Sequence, residues 1–168
     1  MEVPDFGSLY QRYSRDVLRF ALYLTGSRSE AEDIVSETFV RAWLSASPIR
    51  DGTVKSYLLA IARNLHIERH RHRARHDAMP DDLTDTAPGP EVQASGRDEL
   101  RAVLEALQRL PEIDRSALLL RAQEGLSYTE IAAALGLTVA AARVKVHRAR
   151  LRLLEWRGAR SHLHEDHS

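Results

Sequence analysis

The stretch LSYTEIAAALGLTVAAARVKVHRAR, residues 126–150, contains two short helical patterns separated by a single glycine. Ser127 and Glu130 form the S-x-x-E pattern of a capping box, which predicts the start of the first helix. Gly136 predicts its end, because glycine readily adopts the left-handed conformation that closes helices. Thr138 offers a side-chain oxygen as the N-cap of a second helix. Two helices joined by a short glycine-containing turn predict a helix-turn-helix.

The second predicted helix has an apolar face and a basic face. The apolar stripe comprises Val139, Ala142, Val146, Ala149 and Leu153. The remaining arc carries Arg143, Lys145, His147, Arg148, Arg150 and Arg152. Arginine and lysine reach phosphates and guanine edges in a major groove, and the small Ala140 and Ala141 allow close approach. The pattern favours duplex DNA binding over a helix face that is merely solvated.

The composition excludes several classes of protein. The chain has 168 residues, a formal net charge of zero and no cysteine, so it has neither disulfides nor thiolate zinc sites. The acidic start MEVPDF lacks the pattern of a secretory signal, and no apolar run approaches a membrane span. We therefore expect a cytoplasmic protein without membrane insertion.

The neutral total charge hides strong segregation along the chain. Residues 50–78 carry 7 basic against 3 acidic side chains, and residues 135–160 carry 7 against 1. Between them, residues 79–100 carry 1 against 6. Two basic blocks on either side of an acidic spacer predict two separate surfaces for a polyanion, with salt-sensitive binding.

The first 77 residues show helical periodicity. Apolar residues recur at three-and-four spacing from Leu9 to Leu24, and Gly26 predicts a stop. Ser29 with Glu32 predicts a capping box for the next helix, in which Trp43 is expected to pack in the core. The segment VKSYLLAIARNLHIERHRHRARH, residues 54–76, predicts a third helix whose last turns are strongly basic.

A flexible acidic linker is predicted in the middle of the chain. The stretch MPDDLTDTAPGPEVQASG, residues 79–96, is rich in Pro, Gly, Asp, Thr and Ser and lacks aromatic residues. Helical periodicity then resumes, with breaks at Pro111 and Gly125. We predict an all-α protein with two small helical domains, the second containing the helix-turn-helix. The predicted boundaries are 1–77 for the first domain, 78–97 for the linker, 98–160 for the second domain and 161–168 for a His-rich tail.

The order of three motifs resembles the sigma-70 family of bacterial transcription initiation factors, specifically its extracytoplasmic-function (ECF) group. These motifs are EAEDIVSETFVRAW (30–43), SYLLAIARNLHIERHR (56–71) and LEALQRLPEIDRSALLLRAQEGLSYTEIAAALGLT (104–138). The resemblance implies an alternative sigma factor that binds the β′ and β subunits of RNA polymerase core and directs initiation at promoter DNA. It also implies an anti-sigma factor as a partner.

The resemblance further implies three sets of binding residues. The polymerase-binding set is Asp33, Glu37, Thr38 and Arg41. The set for the downstream promoter element is Arg50, Arg63, Asn64, Arg69, Arg71 and Arg73, with the loop 49–53 capturing a flipped base. The set for the upstream element is Thr138, Ala141, Arg143, Lys145, His147 and Arg148. Ser36 and Glu68 depart from the family pattern, which commonly has Gln and Asp there.

The histidines suggest a metal only weakly. His66 and His70 have the i, i+4 spacing of a helical metal site, but the neighbouring arginines would repel a dication. The tail residues His162, His164 and His167 could form a loose site with Glu165 and Asp166. We expect neither a bound metal nor a cofactor.

Three other functions were weighed against a sigma factor. An enzyme would need a nucleophile beside a base, or a glycine-rich phosphate cradle, and the sequence offers neither, so no catalytic residue is predicted. A stand-alone helix-turn-helix regulator would use only the second domain. A structural helical adaptor would have no need of two basic blocks.

Overall fold

Every regular element in the described part of the chain is a helix. The structure, a computed structural model, describes residues 5–45, 54–76 and 94–165. The helices are α1 Phe6–Thr25, α2 Arg28–Leu44, α3 Val54–Arg75, α4 Ala94–Arg109, α5 Glu112–Leu118, α6 Tyr128–Leu135 and α7 Val139–Glu165. They form two compact units, residues 1–92 and 93–168. The predicted all-α class is confirmed.

The first unit is a three-helix bundle in which α1, α2 and α3 all contact one another. Its largest fully buried side chains are Val17, Phe20, Leu24, Ile34, Thr38, Phe39, Leu58, Leu59 and Leu65. The apolar stripe predicted for α1 from Leu9 to Leu24 faces this core. Burying these side chains supplies the main driving force for the bundle.

The turn between α1 and α2 is closed by backbone and side-chain hydrogen bonds. Gly26 has φ 71° and its N–H donates to the carbonyl of Leu22, as the predicted stop requires. The N-cap of α2 is Ser27, whose Oγ accepts from the N–H of Glu30. The predicted cap at Ser29 is wrong, because Ser27 has the extended backbone of an N-cap while Ser29 already lies in the first helical turn.

The second unit contains the predicted helix-turn-helix, formed by α6 and α7. Both halves of the capping box are present, since Ser127 caps the N–H of Glu130 and the Glu130 side chain accepts from the N–H of Ser127. Gly136 ends α6 with φ 66°. Thr138 Oγ1 accepts from the N–H of Ala141 at 3.1 Å and caps α7. The predicted element boundaries in this stretch are confirmed.

Helix α7 packs on α5 and α6 through aliphatic residues. Ala142, Val146 and Ala149 are completely buried. Helix α5 begins after Pro111 and continues into a π-helical turn, Leu119–Gln123, which ends before Gly125 at φ 72°. The breaks predicted at Pro111 and Gly125 are therefore both present.

Two helices extend past the boundaries predicted from composition. Helix α4 begins at Ala94, inside the predicted linker 78–97, because Gly96 lies in the first helical turn rather than ending a loop. Helix α7 continues to Glu165, past the predicted start of the tail at 161. No glycine or proline lies between Arg160 and Glu165 to stop the helix.

The corrected N-cap predicts different costs for two neighbouring serines. Ser27→Ala should lower the free energy of unfolding of the first unit by about 1 kcal/mol, because the N–H of Glu30 loses its partner. Ser29→Ala should cost less than about 0.5 kcal/mol. Urea unfolding followed by Trp43 fluorescence in a Trp156→Phe background would measure both; a larger loss for Ser29→Ala would contradict the assignment.

Candidate functional site

The acidic face of α2 lies against the basic end of α3. Arg41 Nη1 donates to Glu68 Oε1 at 3.2 Å, and Arg41 Nη2 donates to Glu68 Oε2 at 3.0 Å, a two-point contact between helices. Arg41 Nη2 also donates to Glu37 Oε1 at 3.3 Å. The other oxygen of Glu37 accepts from Arg69 Nη2 at 2.9 Å. One carboxylate therefore lies between two guanidinium groups from different helices.

The network continues along both helices. Arg69 Nη1 lies 3.7 Å from Asp33 Oδ2, and Arg73 pairs with Glu30 one turn further along α3. We call these residues the α2–α3 ladder: Glu30, Asp33, Glu37, Arg41, Glu68, Arg69 and Arg73. The ladder joins residues predicted for polymerase binding to residues predicted for DNA binding.

Electrostatics at the ladder follow from its hydrogen bonds. The hydrogen bond from Arg41 lowers the pKa of Glu68 below its ordinary value of 4.5, while partial desolvation opposes the shift. The same hydrogen bond raises the pKa of Arg41. Because these side chains are at least partly exposed, each pair contributes little stability alone, and the network mainly sets the orientation of each charged group.

The structure corrects one predicted polymerase contact. Thr38 has 0% of its surface exposed, and its Oγ1 has no hydrogen-bond partner among the described residues. The prediction of a surface contact by Thr38 is wrong, because its position falls on the buried stripe of α2. Asp33 has a side chain that is 70% exposed, and Glu37 and Arg41 are partly exposed.

The predicted DNA-binding residues of the first unit are not equally available. Asn64 and Arg71 are exposed on α3, and Arg63 is partly exposed. Arg69 and Arg73 are held by the ladder. Arg50 and the loop 49–53 lie outside the described residues.

An aromatic patch covers the start of α1 and the end of α2. Trp43 is 51% exposed, so its predicted place in the core is wrong. The small Ala42 takes the buried position, which turns the next side chain outward. The Trp43 ring meets Phe6 edge to face at 5.7 Å between centroids. Exposed apolar neighbours in this patch are Phe6, Tyr10, Val40 and Leu44.

The second unit presents the predicted basic face on α7. Arg143, His147 and Arg148 are exposed, and the Arg143 guanidinium lies 5.3 Å from the ring centroid of Tyr128. Ala141 is partly exposed, and Thr138 serves as the helix cap.

Lys145 differs from its predicted neighbours on this face. Its side chain is 26% exposed, and its Nζ lies 3.7 Å from Oδ1 of Asp114, whose side chain is 2% exposed. The prediction that places Lys145 on the basic face, away from the apolar stripe, is therefore wrong. Its position next to Val146 puts it on the flank of the buried stripe.

Two buried charged residues of α5 that contact neighbouring helices were not predicted from the sequence. Asp114 faces α7, and the adjacent Arg115 donates to the carbonyls of Leu107 at 2.8 Å and Leu110 at 3.1 Å. Burial lowers the pKa of Arg115. The signal available in the sequence was Pro111, which has no N–H to donate to the carbonyls at the end of α4.

The histidines of α3 form two pairs. The ring centroids of His66 and His70 are 5.8 Å apart, and those of His72 and His76 are 4.4 Å apart. Over residues 5–45, 54–76 and 94–165, no group of three or more potential metal ligands occurs. Within the same ranges, no helix has the length and apolar character needed to cross a membrane.

Comparisons with known proteins match both units. The model of the family described as Sigma-70 region 2 matches residues 9–76, and that described as Sigma-70, region 4 matches residues 100–153. The first segment contains α2, α3 and all but the start of α1, and the second contains α5, α6 and the first part of α7.

Characterised relatives match most of the chain. The ECF RNA polymerase sigma factor SigM of Bacillus subtilis is 33% identical over 147 residues, covering 86% of this chain and 90% of the relative. SigE of Mycolicibacterium smegmatis, also an ECF RNA polymerase sigma factor, is 36% identical over 160 residues, covering 92% of this chain but only 62% of the relative.

A solved structure has the same fold over most of its length. The sigma factor RpoE of Bartonella quintana, crystallised with the anti-sigma factor NepR, superimposes with a TM-score of 0.77 at 28% identity. The match covers 91% of this chain and 96% of that one.

The ladder predicts a pH response. Because the pKa of Glu68 is lowered in the folded chain, its stabilising contribution is present above the unfolded-state pKa and is lost as the pH falls through the folded-state value. Arg41→Gln should raise the pKa of Glu68 toward 4.5, measured by carboxyl-carbon NMR titration. Arg28→Gln, which breaks the Arg28–Glu32 pair on the same helix, should leave it unchanged. An unchanged Glu68 in Arg41→Gln would refute the assigned cause.

Proposed function

Because the chain belongs to the sigma-70 family, in its ECF group, we propose that it is an alternative sigma factor that directs RNA polymerase core to a specific set of promoters. One observation above all supports the proposal. The chain has a region 2 unit, in which α2 carries an acidic face, and a region 4 unit with a helix-turn-helix. A protein with both has the parts needed to hold polymerase and DNA at once.

The polymerase-docking surface is proposed on α2. Asp33 is the most exposed carboxylate of the ladder, and Glu37 and Arg41 lie one and two turns further along the same helix. Charged groups of this kind steer encounter and fix register more than they add affinity. The partner proposed from family membership is the β′ subunit of the core, with β as a further contact.

The downstream promoter element is proposed to bind along α3. Asn64 offers an amide for a base edge, and Arg71 offers an exposed guanidinium for a phosphate. Arg63 lies beside them, and Arg69 and Arg73 extend the basic strip once their ladder partners release them. Arg50 is proposed to contribute from the adjacent loop.

The upstream element is proposed to bind α7. Arg143, His147 and Arg148 supply donors for guanine edges and phosphates, and Ala141 allows close approach of the helix to the groove. Val144 is exposed at the same face, where its methyl groups fit a thymine methyl. Thr138 caps the start of α7 and so stabilises the first turn of the proposed DNA-binding helix.

Partners and location follow from the same proposal. An anti-sigma factor is proposed as the inhibitor, supported by the family and by the complex in which the similar RpoE structure was solved. The chain would work in the cytoplasm, beside the chromosome, and the polymerase rather than the chain would carry out the chemistry.

The docking surface can be tested with purified RNA polymerase core. The double variant Asp33→Arg, Glu37→Arg should weaken core binding at least about tenfold, because it reverses the charge of the proposed surface. Binding can be measured by fluorescence anisotropy of the labelled chain.

The matched control is Arg69→Ala, which breaks two of the three ion pairs lost in the double variant and leaves both carboxylates in place. It should retain core binding. Loss in both variants would mean that only the ladder geometry matters. Failure of the wild-type chain to bind core, with DNA binding intact, would favour a stand-alone regulator.

The ladder also predicts that single-stranded DNA binding is restrained. Glu30→Gln removes the partner of Arg73, so affinity for a labelled single strand should rise by up to about fivefold. Glu32→Gln makes the same charge change on the same helix, but Glu32 pairs with Arg28 instead. Anisotropy titrations should show no comparable gain for Glu32→Gln; equal gains would reduce the effect to net charge.

A further inference from the structure

A buried carboxylate lies beneath the recognition helix. The Asp114 side chain is 2% exposed, and neither of its oxygens has a hydrogen-bond partner among the described residues. Leaving a carboxylate buried without compensation is strongly unfavourable, so its environment must supply a positive charge. The ammonium Nζ of Lys145 lies 3.7 Å from Oδ1 of Asp114 and supplies this charge.

Lys145 is built into the α5–α7 contact rather than into the exposed face. It lies one residue before Val146 and three after Ala142, both completely buried, and its own side chain is only 26% exposed. Arg148, three residues further along α7, is exposed. The two cations predicted to share one role therefore lie in different environments.

Consecutive residues of α5 connect it to two different helices. Asp114 pairs with Lys145 of α7, whereas Arg115 closes the carbonyl end of α4 through Leu107 and Leu110. A shift of α7 along α5 would separate Lys145 from Asp114 and leave the carboxylate unpaired. The pair thus favours one position of α7 on its support.

We infer that Lys145 is a positioning residue, the internal counter-ion of Asp114, which holds the recognition helix in place and does not contact DNA phosphate. This inference rests on the proposed function, in which α7 binds the upstream element. The cationic contacts of α7 with DNA are then made by exposed residues such as Arg143 and Arg148.

The salt dependence of DNA binding separates a positioning lysine from a contacting one. Each phosphate contact contributes about one unit to the slope of log affinity against log salt concentration. The probe is a fluorescein-labelled duplex of random sequence, titrated with the full chain at several salt concentrations. Arg148→Met should lower the slope by about one, whereas Lys145→Met should leave the slope unchanged.

Stability provides the second readout. In a Trp43→Phe background, Trp156 is the remaining tryptophan, and it lies in α7 against Arg109 of α4, so its fluorescence follows the second unit. Lys145→Met should lower the unfolding midpoint by several degrees, because Asp114 stays buried without its counter-ion. The double variant Asp114→Leu, Lys145→Met should recover most of that loss, because both charges are removed together.

The outcomes are distinct. A slope lowered by about one in Lys145→Met, with the midpoint unchanged, would overturn the inference and make Lys145 a phosphate contact. If Lys145→Met does not fold, the double variant is used for the slope: an unchanged slope supports the inference and a lowered one overturns it. If the wild-type chain binds no duplex, the proposed DNA role fails. In that case a recovered unfolding midpoint in the double variant still supports Lys145 as the counter-ion of Asp114, and a midpoint that stays low refutes it.

Discussion

The carboxylate of Glu37 accepts from Arg69 of α3 at 2.9 Å and from Arg41 of its own helix at 3.3 Å, and the contact with Arg69 ties the acidic face of α2 to the basic end of α3. The proposed polymerase surface and part of the proposed DNA surface therefore share their charges. If polymerase binds the carboxylates, the arginines of the ladder lose their partners. If a DNA strand binds the arginines, the carboxylates lose theirs. Exposed pairs of this kind are individually weak, so either exchange is energetically accessible.

In the second unit the key charged side chains are buried rather than exposed. Asp114 and Arg115 are buried: the Asp114 carboxylate lies beside the Lys145 ammonium, and Arg115 donates to the carbonyls of Leu107 and Leu110 before Pro111. Breaking such contacts is far more costly than breaking a surface pair. The first unit thus has exposed ion pairs that can exchange partners, whereas the second has buried charges held beneath α7.

Much of the candidate site could be predicted from the sequence, because its signals are local. Three such signals are the capping box at Ser127, the glycine at 136 and the cap at Thr138. Each involves a hydrogen bond between residues no more than four positions apart. The family resemblance placed Thr38 at the surface, whereas the errors at Trp43 and Lys145 have a common origin. Helical periodicity identifies an apolar stripe, but a residue at its edge is buried or exposed according to the helix packed beside it.

The helices, most of their ends, the division into two units and the family could all be predicted from the sequence alone, since they depend on short-range spacing or on the order of motifs. Only the tertiary structure decided which charges meet. Arg41 and Glu68 are 27 residues apart, and Asp114 reaches Lys145 from another helix. Such pairs depend on how the helices pack against each other. The residues next to a side chain in the sequence do not specify which side chain of another helix it will meet.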